Sequence, residues 1–119
     1  MKRILVVEDN ETNMYLFRFI LKNKGYQVIE AITGEEGVEF ALKEKPDLVI
    51  MDIQLPGIDG LETTRRIRES EAGKEFPIVA LTSHAMVGDK EKALKAGCTG
   101  YIEKPINPET FVAQIEKYL

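Results

Sequence analysis

Five side chains, far apart along the chain, add up to one kind of chemistry: Glu8, Asp9, Asp52, Thr82 and Lys104. Each has an ordinary explanation on its own, since an Asp after a strand is commonly a helix cap and a single Lys is commonly a solvated charge. Gathered in one crevice they carry three negative charges against one positive. Two like charges ~4 Å apart repel by roughly 4 kcal/mol at an effective dielectric of 20. A hard divalent cation with oxygen ligands and open water positions relieves such a cluster, and Mg²⁺ suits it best. Carboxylate, Mg²⁺, ammonium and hydroxyl together form a set suited to phosphoryl transfer. Metal and ammonium neutralise the phosphoryl oxygens while a carboxylate attacks. Asp52 is the expected nucleophile, because its run is central and lies between the acidic pair and Thr82.

The elements that would gather these residues can be read from the pattern. Short β-branched runs alternate with helical stretches, giving strands at Ile4–Val7, Gln27–Ala31, Leu48–Met51, Ile78–Leu81 and Tyr101–Ile102. The first, third and fourth runs are continuously apolar, as for central parallel strands covered on both faces, while the mixed second and short fifth suit the edges. The first helix turns Phe17, Ile20 and Leu21 inward and stops at Gly25. Thr33 and Glu36 have the spacing of a capping box, followed by Val38, Ala41 and Leu42 as an apolar stripe. The last helix opens with Asn107 as N-cap and Pro108 at the first helical position, then buries Phe111, Val112, Ile115 and Leu119. Such alternation predicts an α/β fold, a five-stranded parallel sheet with helices on both faces. The expected strand order is 2-1-3-4-5, that of flavodoxin-like (βα)5 sandwiches. In these sheets the crevice lies beyond the carboxyl ends of the strands, where all five side chains fall.

Composition narrows the alternatives. The chain has 119 residues, 44% of them hydrophobic and 30% charged, which predicts one packed domain over 1–119 with no output domain attached. Its 16 Lys and Arg against 20 Asp and Glu leave a net charge of −4, which argues against nucleic-acid binding. The single cysteine, Cys98, cannot form an internal disulfide and reads as a small buried hydrophobe. No apolar run approaches the ~18 residues of a membrane span, and Ile4–Val7 is too short for a secretory signal. A cytoplasmic setting is the expectation.

Rival chemistries fit less well. An aspartyl-phosphate phosphatase places Asp-x-Asp after its first strand, where this chain reads Glu8-Asp9-Asn10. A flavin or nucleotide binder needs a hydroxyl- or glycine-rich phosphate loop there, but Glu8, Asp9 and Glu11 repel phosphate, and no G-x-x-x-x-G-K-[ST] occurs. A calcium loop starting at Asp9 fails because Met14 stands at its glycine position.

The motifs Val7-Glu8-Asp9-Asn10, Met51-Asp52-Ile53-Gln54-Leu55-Pro56-Gly57-Ile58-Asp59-Gly60, Ala80-Leu81-Thr82-Ser83 and Tyr101-Ile102-Glu103-Lys104-Pro105 resemble those of the CheY-like response-regulator receiver family from Ile4 to Leu119. Asn10, Asn13, Gln54 and the stretch from Ala85 to Asp89 are similar to single-domain receivers and to receivers of hybrid kinases. The resemblance implies that Asp52 accepts a phosphoryl group from a histidine kinase or histidine phosphotransferase, in a two-component or phosphorelay system. It implies self-catalysed phosphorylation and dephosphorylation without turnover of an external substrate. Asp9 and Asp52 would bind Mg²⁺ directly with the backbone carbonyl of Gln54, and Glu8 would act mainly through water. Lys104 would pair with phosphoryl oxygens, Thr82 would be drawn toward them, and Tyr101 would turn inward in response. Lys104-Pro105 would be cis. Glu8 stands where the family often has Asp, which keeps the charge and adds a methylene. For His84, two residues past Thr82, two readings stand: it overhangs the phosphoryl group, or it faces solvent at the start of a helix. Output would pass to a protein partner through the face of the fourth helix, fifth strand and fifth helix. A receiver cut from a hybrid kinase is the alternative origin for the same domain.

Overall fold

The computed structural model describes residues 2–83 and 88–119. Strands β1 (Arg3–Val7), β2 (Gln27–Ala31), β3 (Leu48–Asp52), β4 (Ile78–Thr82) and β5 (Gly100–Glu103) alternate with helices α1 (Glu11–Asn23), α2 (Gly34–Glu44), α3 (Gly60–Glu69), α4 (Asp89–Ala96) and α5 (Pro108–Glu116). A short 3-10 turn, Glu71–Gly73, follows α3. All strand pairs are parallel and the sheet order is β2-β1-β3-β4-β5, as expected.

The sheet divides the core in two, because side chains alternate between faces along each strand. Ile4, Val6, Ile50 and Leu81 meet α1 and α5 on one face, where the Phe17 and Phe111 rings lie 5.5 Å apart. Leu5, Val7, Met51 and Ala80 meet Ala41, Ile67 and Ala93 of α2, α3 and α4 on the other. Every residue of β3 and β4 is buried, whereas β2 and β5 carry partly or fully exposed positions at the edges.

Strands β3 and β4 run one residue further than the apolar pattern suggests. Asp52 pairs with Leu81 and Thr82 with Glu103, so both close their strands rather than following them. The ladder holds through these polar residues because Ile53 N donates to Leu81 O at 3.0 Å and Lys104 N to Thr82 O at 2.7 Å.

Helix ends follow the sequence signals with two adjustments. Gly25, past the C-terminus of α1, takes φ +88°, a conformation that costs glycine little, while the start of α1 is capped by a residue not singled out for it, Asn10, whose Oδ1 accepts from Asn13 N at 3.0 Å. Thr33 Oγ1 accepts from Glu36 N at 3.1 Å, but Glu36 Oε1 accepts from Ile32 N at 2.9 Å, one residue beyond the Thr33 N–H of the reciprocal bond. Asn107 caps α5 and Pro108 opens it, but the helix ends at Glu116, which leaves Leu119 beyond it and half-buried. On α2, Ala41 is buried and Val38 and Leu42 are half-buried.

Candidate phosphoryl-acceptor and metal site

Four strand ends converge on the site. β1 runs into Glu8 and Asp9, and Glu8 N donates to Ala31 O at 2.9 Å, which carries the β1–β2 pairing one residue past the strand. β3 ends at Asp52, β4 at Thr82, and β5 leads to Lys104. The Asp52 carboxylate is held from its own loop: Gln54 N donates to Asp52 Oδ1 at 3.1 Å. That loop is pressed against the start of α3 by Gly60, whose N–H donates to Ile53 O at 2.9 Å. A Cβ at position 60 would lie 2.2 Å from the Asp52 carbonyl oxygen, so only glycine allows this approach. Asp59 then caps α3 by accepting from Glu62 N at 2.8 Å.

The expected constellation assembles. Lys104 Nζ lies 3.1 Å from Glu8 Oε1 and 3.2 Å from Asp52 Oδ2, bridging the two carboxylates. Glu8 is 1% exposed and Asp52 3%, whereas Asp9 faces solvent. One carboxylate oxygen from each of Glu8, Asp9 and Asp52 falls within 4.8 Å of the others. Thr82 is buried beside them at the end of β4. Glu8 departs from ordinary carboxylate behaviour. Burial, then a hydrogen bond to Asp52 and the repulsion of its charge, push Glu8 up to about 7, and Lys104 opposes the shift.

An excess of carboxylate oxygens, half sunk in the protein and half open, fits a hard divalent cation. Gln54 is exposed next to Asp52, which leaves its backbone at the rim of this cluster. Lys104-Pro105 is cis, as the family resemblance implies. A cleft of about 370 Å³ adjoins the site between α1 and the segment after β5, lined by Asn13, Leu16, Ser83, Pro105 and Ile106 among others.

Tyr101 is half-buried against the α2–α3–α4 side of the core, 5.7 Å from ring centroid to Lys90 Nζ. Cys98 is buried with its Sγ 3.8 Å from Thr64 Oγ1, and burial pushes its thiol pKa up, so it behaves as the expected small hydrophobe. His84 and the stretch 85–87 lie outside the described residues.

Two contributors escape the sequence reading. Arg68, in the last turn of α3, has the position of a solvated charge that complements a helix dipole. In the fold its Nε donates to Gly97 O at 2.9 Å and its Nη1 to Gly73 O at 2.9 Å and Phe76 O at 2.6 Å. It thereby ties α3 to the entry of β4 and the turn before β5. Lys90 likewise carries no motif, and only the fold brings it to Tyr101.

Residues 4–116 match the family model described as response regulator receiver domain. Over 118 residues the chain is 42% identical to the polar-differentiation response regulator DivK of Brucella ovis, covering 99% of this chain and 96% of that protein. Among solved structures, chemotaxis protein CheY4 of Vibrio cholerae superposes with a TM-score of 0.95 at 30% identity, covering 100% of this chain and 99% of that one. The receiver domain of a sensor histidine kinase from Pseudomonas aeruginosa PAO1, solved with magnesium ion coordinated in its active site cleft, gives 0.91 at 36% identity, covering 98% and 96%. The chain therefore belongs to the response regulator receiver domains, the phosphorelay signalling modules of two-component systems.

Proposed function

We propose that Asp52 is the phosphoryl acceptor of this receiver and that its donor is a phosphohistidine on a histidine kinase or histidine phosphotransferase. The observation that carries the reading is the Asp52 carboxylate, closing the central strand at 3% exposure with Lys104 Nζ at 3.2 Å. A carboxylate oxygen of Asp52 forms the new bond to phosphorus. The phosphorus–nitrogen bond breaks, and its electron pair stays on the departing imidazole, which is protonated from solvent. Lys104 then exchanges its contact with the Asp52 carboxylate for one with a phosphoryl oxygen. Thr82 donates its hydroxyl to another, because hydrogen bonds to a charged phosphoryl oxygen are short and strong.

Asp9, Asp52 and the Gln54 carbonyl would hold Mg²⁺, with Glu8 acting through water. When bound, Mg²⁺ supplies charge neutralisation for the transferring group. Motion of Thr82 opens space behind β4, and Tyr101 on β5 is placed to turn into it. The surface of α4, β5 and α5 then carries the state to a protein partner, with phosphorylation shifting a pre-existing equilibrium. The protein modifies itself and turns over no external substrate, in the cytoplasm. No helix among the described residues is long and apolar enough to cross a membrane.

The direct test is intact mass after incubation with a small phosphodonor, with and without Mg²⁺. One phosphoryl group is expected on the wild type with Mg²⁺ and none on Asp52→Asn. Equal labelling of the Asn variant overturns the assignment.

A further inference from the structure

Helix α4 begins after Gly88 with Asp89, Lys90 and Glu91. Acidic side chains belong in a first helical turn, where the macrodipole is positive, and a lysine there is disfavoured. Lys90 gains nothing by ion pairing either: among the described residues no carboxylate lies within salt-bridge distance of its ammonium. Its charge sits instead over the face of Tyr101, 5.7 Å from the ring centroid. A cation at this range is held by the ring quadrupole.

Tyr101 stands opposite Ala80 across the β4–β5 pair and packs against the apolar cluster to which Ala80 and Ala93 of α4 belong, so two of the cluster's side chains on its neighbouring elements are small. A ring turned inward toward them gives up Lys90. The two positions of Tyr101 thus differ by one cation–π contact supplied from α4.

We propose that Lys90 is a positioning residue of the switch: its ammonium holds the Tyr101 ring in the outer, half-buried position, and so sets the resting balance between the two states. This rests on the reading of Tyr101 as the aromatic that responds to Asp52. A surface cation–π contact of ~0.5–1 kcal/mol corresponds to a change of about two- to five-fold in that balance. Lysine at this position therefore acts as a brake on spontaneous activation, and an uncharged side chain of similar length releases it.

The experiment uses the whole chain, with tyrosine labelled by ¹³C at the ring ε carbons, which leaves the π face unaltered. The chain has four tyrosines, and Tyr101→Phe identifies the resonance that matters. Beryllofluoride with Mg²⁺ serves as the phosphoryl mimic. In Lys90→Met the Tyr101 resonance of the unmodified protein moves part of the way toward its beryllofluoride position, and the beryllofluoride midpoint falls about two- to five-fold. Lys90→Arg keeps both at wild-type values, because a guanidinium also sits well on a ring face. In a Tyr101→Leu background Lys90→Met changes the midpoint no further. If beryllofluoride moves the wild-type resonance but Lys90→Met does not, the positioning role is wrong and the switch reading stands. If beryllofluoride leaves Tyr101 unmoved, the switch reading fails and takes this proposal with it.

Discussion

At the residue scale the decisive balance is between Glu8, Asp52 and Lys104. Burial and the neighbouring Asp52 raise Glu8 from 4.5 to about 7. In the unfolded chain Glu8 returns to the ordinary value, so between these limits the folded protein holds more protons. Stability contributed by the protonated Glu8 is complete below about 4.5 and is lost as pH rises through about 7. The melting temperature measured in chelator should therefore fall across this window, and the fall should be shallower in Glu8→Gln. Mg²⁺ should stabilise more at pH 8 than at pH 5.5, because below the Glu8 pKa protonation removes one of the negative charges that attract the ion. An unchanged slope in Glu8→Gln would overturn this account. Asp9→Ala should remove most of the Mg²⁺-dependent gain, since Asp9 is the exposed carboxylate of the cluster.

At the element scale the sequence was most readable where a local rule decides the outcome. Thr33 and Asn107 start helices because each side chain accepts an orphan N–H, a bond that spans two or three residues. Strand ends were harder, since Asp52 and Thr82 are polar and only the ladder with Leu81 and Glu103 keeps them in the sheet. Arg68 was unreadable for a similar reason. Its partners Gly73, Phe76 and Gly97 come from two other loops, and nothing in the pattern of α3 reveals them. The clasp should matter energetically, because its loss strands partly buried carbonyls. Arg68→Ala should cost about 2–4 kcal/mol in chemical denaturation. Arg68→Lys should recover less than half, since one ammonium cannot reach what the guanidinium fork reaches. A loss within experimental error of zero would mean that water replaces these bonds freely.

At the scale of the whole molecule, the five site residues were legible because a parallel α/β sheet delivers its strand ends to one side, whatever the loops do. The Lys90–Tyr101 contact was not, because it depends on where α4 lies over β5. If the α4–β5–α5 face carries output, beryllofluoride with Mg²⁺ should produce amide shift changes at Tyr101, Ile106 and Phe111 as well as around Asp52. Changes confined to the Asp52 loop would rule out a distant response.

The two halves of the core bear on how such a domain diversifies. Phe111, Val112 and Ile115 of α5 belong to one half and Ala93 of α4 to the other, so the α4–β5–α5 face runs along the seam where the halves meet at an edge strand. Outward residues there, such as Leu94 and Glu103, are exposed and belong to neither apolar half. Lineages can rewrite them one at a time while the buried carboxylates and their strands stay fixed. A duplicated copy could thus acquire a new listener long before it needed a new chemistry.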